Sequence, residues 1–262
     1  MAISIKFLVK RAIKKELKKA IKVSLPNKTI IISDVHLVAH ISRYHKCINT
    51  LIRELERYKQ EGYKLVILGD FFDIWIASEK NIINAKHNQK LLNIIYSMLI
   101  VLITGNHDRI KYKILKKYCS DKLIVAKSIK CNNTLITHGN VGELTEYISW
   151  LNNISIYAVR GLSWLHRKGF FRELPRAAND VSKKHCYNLQ AAQEALSINL
   201  ICGHTHNPRI EYKECQNGHS IDHYYANTGC SSYVNGSIDI LEYCSSKKNF
   251  NNAPCLQRFK YC

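Results

Sequence analysis

Five short motifs each follow an apolar run, and this arrangement constrains the fold more than any other property of the chain. Thr29-Ile30-Ile31-Ile32-Ser33 leads into Asp34-Val35-His36, and Lys64-Leu65-Val66-Ile67-Leu68 leads into Gly69-Asp70. Leu99-Ile100-Val101-Leu102-Ile103 precedes Gly105-Asn106-His107-Asp108, Thr134-Leu135-Ile136-Thr137 precedes His138-Gly139, and Ile198-Asn199-Leu200-Ile201-Cys202 precedes Gly203-His204-Thr205-His206. β-Branched runs without polar alternation suit strands buried on both faces, and the longer intervals leave room for crossover helices. An α/β sheet presents its chemistry at strand ends, so the motifs are expected to converge on one edge of the fold. Any one of them alone reads as a turn or a helix cap. Five in order, offering carboxylate, imidazole and amide donors, point to a two-metal hydrolase.

In order, the blocks read Asp-x-His, Gly-Asp, Gly-Asn-His-Asp, His and Gly-His-x-His, a pattern that resembles the calcineurin-like metallophosphoesterases from about Asp34 to Gly229. The resemblance implies an α/β fold of four layers, α/β/β/α, around two divalent ions. Carried over residue by residue, it assigns Asp34, His36, Asp70 and His206 to the first ion. It assigns Asp70, Asn106, His138 and His204 to the second, so that Asp70 bridges the two. Two such ions, about 3.5–4 Å apart, can share a hydroxide of lowered pKa and clamp phosphoryl oxygens for in-line displacement. The expected catalytic residues are Asp70, which sets the separation, and His107, which stabilises phosphoryl charge or protonates the leaving oxygen. A plainer role for His107 is to orient a neighbouring ligand; Asp108 is the expected holder of its tautomer. The family often has Asp or His after His-Gly, and Asn140 departs from this, which alters the hydrogen bonding expected around His138. The donor set suits Mn, Fe or Zn, with Mn the first expectation, and the lack of thiolate ligands argues against a purely structural zinc site.

Gly69-Asp70-Phe71-Phe72-Asp73-Ile74-Trp75 narrows the resemblance to the branch containing the UDP-2,3-diacylglucosamine diphosphatases of lipid A synthesis. Members of that branch cleave a diphosphate in a lipid-linked sugar nucleotide, release UMP and work at the membrane surface. The strict diphosphatases usually carry Arg where this chain has His107.

The chain has 262 residues, enough for one sizeable α/β domain with an insertion, and its 46% hydrophobic content is ordinary for a globular protein. No run reaches the length of a membrane span. Ten cysteines at irregular spacing, without a Cys-x-x-Cys pair or a cleavable-looking signal, read as reduced thiols in a cytoplasm. The net charge of +19 is unevenly spread. Residues 1–25 carry a basic amphipathic helix, with Val9, Ile13, Leu17, Ala20 and Ile21 at helical spacing among lysines. Such a helix either lies on an anionic bilayer, making the protein peripheral on a membrane, or packs on its own domain with a solvated cationic face. An organellar presequence fits less well, because Arg and Ser are scarce.

Residues 26–243 are expected to form the metallophosphoesterase domain, with a helical cap over about 141–196. Arg160 and Arg167 in this interval, with Asn106, are the expected substrate contacts, and a cap both apolar and cationic suits an amphiphilic phosphate ester. A solvated basic face is the plain alternative. After His206, alternation in Ile210-Glu211-Tyr212 and the Asn217-Gly218 turn indicate antiparallel strands, and Asn227-Thr228-Gly229 reads as a structural turn. Residues 244–262 are polar and expected to be a loosely ordered tail. The whole reads as a hydrolase of a phosphodiester or diphosphate bond in a phosphorylated small molecule or a lipid-linked substrate. The competing class is a nucleic-acid-binding protein, with or without nuclease activity, because a basic chain attracts polyanions. A non-catalytic scaffold fits poorly with so full a ligand set.

Overall fold

The computed structural model describes residues 5–38, 48–74, 77–108, 122–141, 177–214, 221–229, 238–248 and 254–261. In chain order its elements are α1 (Ile5–Lys19), β1 (Ile21–Lys22), β2 (Thr29–Ile32), α2 (Ile48–Gln60), β3 (Lys64–Leu68), α3 (Glu79–Asn84), α4 (Lys86–Met98), β4 (Leu99–Ile103), β5 (Ile124–Ala126), β6 (Ser128–Cys131), β7 (Thr134–Thr137), α5 (Ala177–Glu194), β8 (Asn199–Cys202), β9 (Arg209–Glu214), β10 (Ile221–Asn227), β11 (Ile238–Lys248) and β12 (Pro254–Tyr261). The strands form two sheets, ordered β12-β11-β2-β3-β4-β5 and β1-β6-β7-β8-β10-β9. In the first, β2, β3, β4 and β5 are parallel, and β11 joins β2 antiparallel. In the second, β7, β8 and β10 run parallel, and β9 closes antiparallel on β10 as its alternation predicts.

Side chains of a strand alternate between faces, so a strand with protein on both sides must be apolar throughout. In β2, Ile30 and Ile32 pack with Leu51, Leu55 and Tyr58 of α2 and with Leu91 and Ile95 of α4. Ile31 points the other way, into the space between the sheets, with Val66, Val101, Ile136, Ile201 and Ala226. The outer face of the second sheet, through Leu135, Leu200 and Tyr225, lies under Val9 and Ile13 of α1 and Cys186, Leu189 and Ala192 of α5. The layers are therefore α2/α4, sheet, sheet, α1/α5. This is the α/β/β/α sandwich expected from the sequence, and every uninterrupted apolar run is explained by its place between layers.

One open alternative is decided and two expectations change. The apolar stripe of the first helix is spent inside the protein: Val9 and Ile13 are fully buried, and β1 continues the segment into the sheet by pairing with β6. Residues 1–25 thus contribute a layer of the domain, with residues 1–4 outside the described residues. Of the cap expected over about 141–196, residues 142–176 with Arg160 and Arg167 lie outside the described residues, while Ala177–Glu194 is α5, which packs in the outer layer beside α1. Beyond Cys244 the chain is not a tail but two strands, since β11 runs to Lys248 and β12 returns antiparallel at the sheet edge. An edge strand needs little apolar content, and Pro254 sits at its first position, where a missing N–H is tolerated. Among the described residues Cys131, Cys186 and Cys202 are free and buried.

Candidate metal centre

All five motifs sit just beyond the carboxyl ends of strands, three on the first sheet (β2, β3, β4) and two on the second (β7, β8). The strand pairing continues into the loops, which holds the motifs in register. Asp34 N donates to Gly69 O at 3.0 Å, His36 N to Asp70 O at 2.8 Å, and Leu37 N to Phe71 O at 2.9 Å. Across the second sheet, Gly203 N donates to His138 O at 2.8 Å. Two glycines permit the close approach of these loops. A Cβ on Gly105 would fall 2.1 Å from Asp70 Oδ1, and one on Gly203 would fall 2.4 Å from Ser33 Oγ and 2.7 Å from Asp34 Oδ2.

The backbone is bent where the donors are. Asp34, His36, Asp70, His204 and His206 have φ of 53°, 48°, 49°, 65° and 51°. Left-handed φ costs a non-glycine residue on the order of 1–3 kcal/mol and persists only where the surroundings impose it. Here it turns each chain sharply off its strand. The side chains then meet in three groups with mutually close ligand atoms: Asp34, His36 and His206; Asp70, His138 and His204; and, between them, His36, Asp70 and His107. Asp70 Oδ2 lies 3.3 Å from His138 Nε2 and 3.9 Å from His36 Nε2, so it stands between the groups. Asn106 Oδ1 lies 3.1 Å from His138 Nε2, which brings the amide to the second group. The seven residues expected as metal ligands are thus together.

The surroundings orient these donors. His138 Nδ1 bonds the carbonyl of Leu68 at 2.6 Å, which directs Nε2 into the site. Asp34 takes the backbone N–H of His204 on Oδ2 at 2.9 Å, and its Oδ1 lies 3.1 Å from His206 Nε2. Asn227 donates to Gly203 O at 3.0 Å and Thr205 Oγ1 at 2.9 Å and accepts from Gly229 N at 2.9 Å, which fixes the Gly203–His206 turn and gives the Asn-Thr-Gly motif its structural role.

Two residues not assigned in advance belong to the site. Asp73 is buried; its Oδ1 lies 3.1 Å from His107 Nδ1, and its Oδ2 lies 3.8 Å from His36 Nδ1. It, not Asp108, holds the His107 imidazole. The Asp108 carboxylate instead accepts backbone N–H groups from Phe71, Phe72 and Gly105 at 3.2, 2.9 and 3.2 Å, tying the second motif to the third. On α5, His185 Nε2 lies 2.8 Å from Gly139 O, and its ring stands edge-on 5.9 Å from that of His204. Asp73 has a signal in the sequence, an acid three residues after Asp70; His185 has none.

Electrostatics distinguish the groups. Burial opposes ionisation of Asp34, but the charge of His206 and its hydrogen bond bring the carboxyl down to about 2. Asp70 lies well below the usual carboxylate range for the same reason, with His138 the main attraction against burial. Burial, then the charge of His107, pushes His36 down to about 4, so its imidazole is neutral. His138 is raised to about 10, Asp70 outweighing burial, and His107 is raised by Asp70 and Asp73 against the same penalty. Burial and Asp70 push Asp108 up to about 7 although its backbone donors pull it down.

One atom tests whether these residues suit a metal. His36 Nε2 is buried without a hydrogen-bond partner, 3.8 Å from Asp34 Oδ1 and 3.9 Å from Asp70 Oδ2. A neutral nitrogen flanked by two carboxylates beyond hydrogen-bond reach is uncompensated in protein alone. Ligand bonds of about 2.0–2.2 Å converging on a cation give donor separations of this order. Imidazole, carboxylate and amide donors fit a divalent ion of the Mn, Fe or Zn kind.

The family described as calcineurin-like phosphoesterase matches residues 28–208. No curated protein sequence matches the chain. Among solved structures the chain is similar to a protein of unknown function from Aquifex aeolicus, 19% identical over 76% of this chain and 89% of that one, with a TM-score of 0.36. It is also similar to a point mutant of a cold-active protein tyrosine phosphatase, 15% identical over 91% of this chain and 83% of that one, with a TM-score of 0.35.

Proposed function

The chain belongs to the calcineurin-like phosphoesterase family and is a metal-dependent phosphoesterase; from this premise we propose that it cleaves a phosphodiester or diphosphate bond, with a lipid-linked nucleoside diphosphate of the UDP-2,3-diacylglucosamine type as substrate. In this reading Asp34, His36, Asp70 and His206 hold one divalent ion, Asp70, Asn106, His138 and His204 hold the other, and manganese is the metal. When bound, the ion pair supplies Lewis-acid polarisation of a phosphoryl oxygen and activation of water as nucleophile. The observation that carries the reading is the unpartnered, buried Nε2 of His36 between Asp34 and Asp70.

The protein's own groups do the rest. Asp70 accepts the backbone N–H of His107 at 2.8 Å, which fixes that residue beside the site. The His107 side chain is 21% exposed, its Nδ1 is engaged by Asp73, and its pKa is raised, so the cationic imidazole can give a proton to the departing oxygen. Its placement supports a role in catalysis over one confined to orienting Asn106. The substrate class rests on the likeness of Gly69–Trp75 to the diphosphatase branch. A cytoplasmic protein at the inner surface of a membrane would meet such a substrate.

Manganese-loaded protein assayed against UDP-2,3-diacylglucosamine, bis-p-nitrophenyl phosphate and single-stranded DNA tests the proposal. Release of UMP with the highest kcat/KM of the three is the expected result. Cleavage of DNA without UMP release would overturn the substrate and favour the nuclease suggested by the net charge of +19.

A further inference from the structure

The outward face of α1 has no partner within the described residues, and its composition is unusual. With 3.6 residues per turn, Phe7 projects opposite the buried Val9 and Ile13, and Lys10, Arg11, Lys14 and Lys18 follow it at i+3, i+4, i+7 and i+11 on the same side. Phe7 is 57% exposed. Among the described residues none of these four cations is ion-paired; the helix has no acid in its first turn, and its one carboxylate, Glu16, is occupied by Ser128 Oγ at 2.9 Å. A cationic face surrounding an exposed aromatic ring is not a neutral solvated surface.

We propose that this face of α1 docks on a membrane surface rich in anionic phospholipid, with Phe7 entering the interface and Lys10, Arg11, Lys14 and Lys18 meeting the headgroups. The apolar stripe that the sequence suggested for this purpose is inside the protein, so the contact is made by the opposite side of the same helix. Charge complementarity selects an anionic partner. Apolar exposure selects lipid: the exposed Phe7 ring stands among the four cations on this face. Membrane-surface helices combine these two contributions, apolar burial and attraction to anionic lipid.

The docking does not depend on the hydrolytic reading, and vesicle binding is measured without substrate. Full-length protein is cosedimented with vesicles of phosphatidylcholine alone and with one third phosphatidylserine, at low and high salt. Binding to the anionic vesicles, weakened by salt, is expected, with little binding to the neutral ones. Each cation near such a surface contributes on the order of fivefold in partitioning, so Lys14→Ala with Lys18→Ala is expected to reduce it roughly twenty-fivefold. Phe7→Ser should reduce the binding that survives high salt. These side chains are exposed, so melting temperature and hydrolysis of a soluble diester should not change. Unchanged vesicle binding in both variants would overturn the proposal, as would binding to single-stranded DNA but not to vesicles.

Discussion

Replacing His36 by Ala and, separately, by Gly removes the same imidazole, and the two variants differ only in a Cβ on a residue with φ of 48°. For an L-residue the left-handed conformation costs roughly 1–2 kcal/mol, a penalty glycine lacks. Glycine loses about 0.5–1 kcal/mol more than alanine in backbone entropy on folding. The difference favours His36→Gly over His36→Ala by about 0.5–1 kcal/mol. At Lys213, exposed on β9 and without positive φ, only the entropy remains, and Lys213→Gly should be less stable than Lys213→Ala by about 0.5–1 kcal/mol. The sign therefore reverses between the two positions. Urea denaturation of the four metal-free variants measures this directly, and the corresponding shift in melting temperature is about 2–4 °C per kcal/mol for a chain of this size. If alanine is the more stable residue at both positions, the left-handed conformation is not imposed at His36, and the argument that the fold strains its backbone to aim the donors fails.

Three further outcomes are expected. His138 in the metal-free protein is raised to about 10 from 6.5, so its stabilising contribution is complete below pH 6.5 and lost as the pH rises through about 10; a metal must displace that proton, and loading at pH 8 should release protons, seen by calorimetry in buffers of different ionisation enthalpy, fewer of them in His138→Gln. Asp73→Asn removes part of what raises His107, so the basic limb of the pH–rate profile should move to lower pH with metal content unchanged; an unmoved limb would separate Asp73 from catalysis. Gly203→Ala places a Cβ 2.4 Å from Ser33 Oγ, and a loss of about 1–3 kcal/mol with weaker metal binding should follow, read from denaturation and metal titration.

The sequence discloses what is local. Each donor motif lies within a few residues of the strand that positions it, so residue types and order suffice to bring Asp34, His36, Asp70, Asn106, His138, His204 and His206 into consideration. Doubly buried strands likewise announce themselves, since Ile30, Ile31 and Ile32 must all be apolar when layers lie on both sides. Partners distant in sequence are not announced. Asp108 adjoins His107 in the chain, yet it binds backbone N–H groups of Phe71 and Phe72, and the imidazole is held by Asp73, 34 positions earlier. Periodicity in α1 reveals an apolar stripe without saying whether lipid or protein covers it, and α5 with the second sheet provides the answer. The strands beyond Cys244 are hidden because an edge strand is stabilised by its ladder with β11 more than by apolar content.

The central claim is that Asp70 joins two metal positions, and elemental analysis of Asp70→Asn beside His107→Ala tests it most directly. The unaltered protein should hold two equivalents of divalent metal, and His107→Ala should keep both while losing most turnover. Asp70→Asn should lose metal and turnover together, because its carboxylate stands between His138 and His36 at 3.3 and 3.9 Å. Two full equivalents of metal in a catalytically active Asp70→Asn variant would contradict the account.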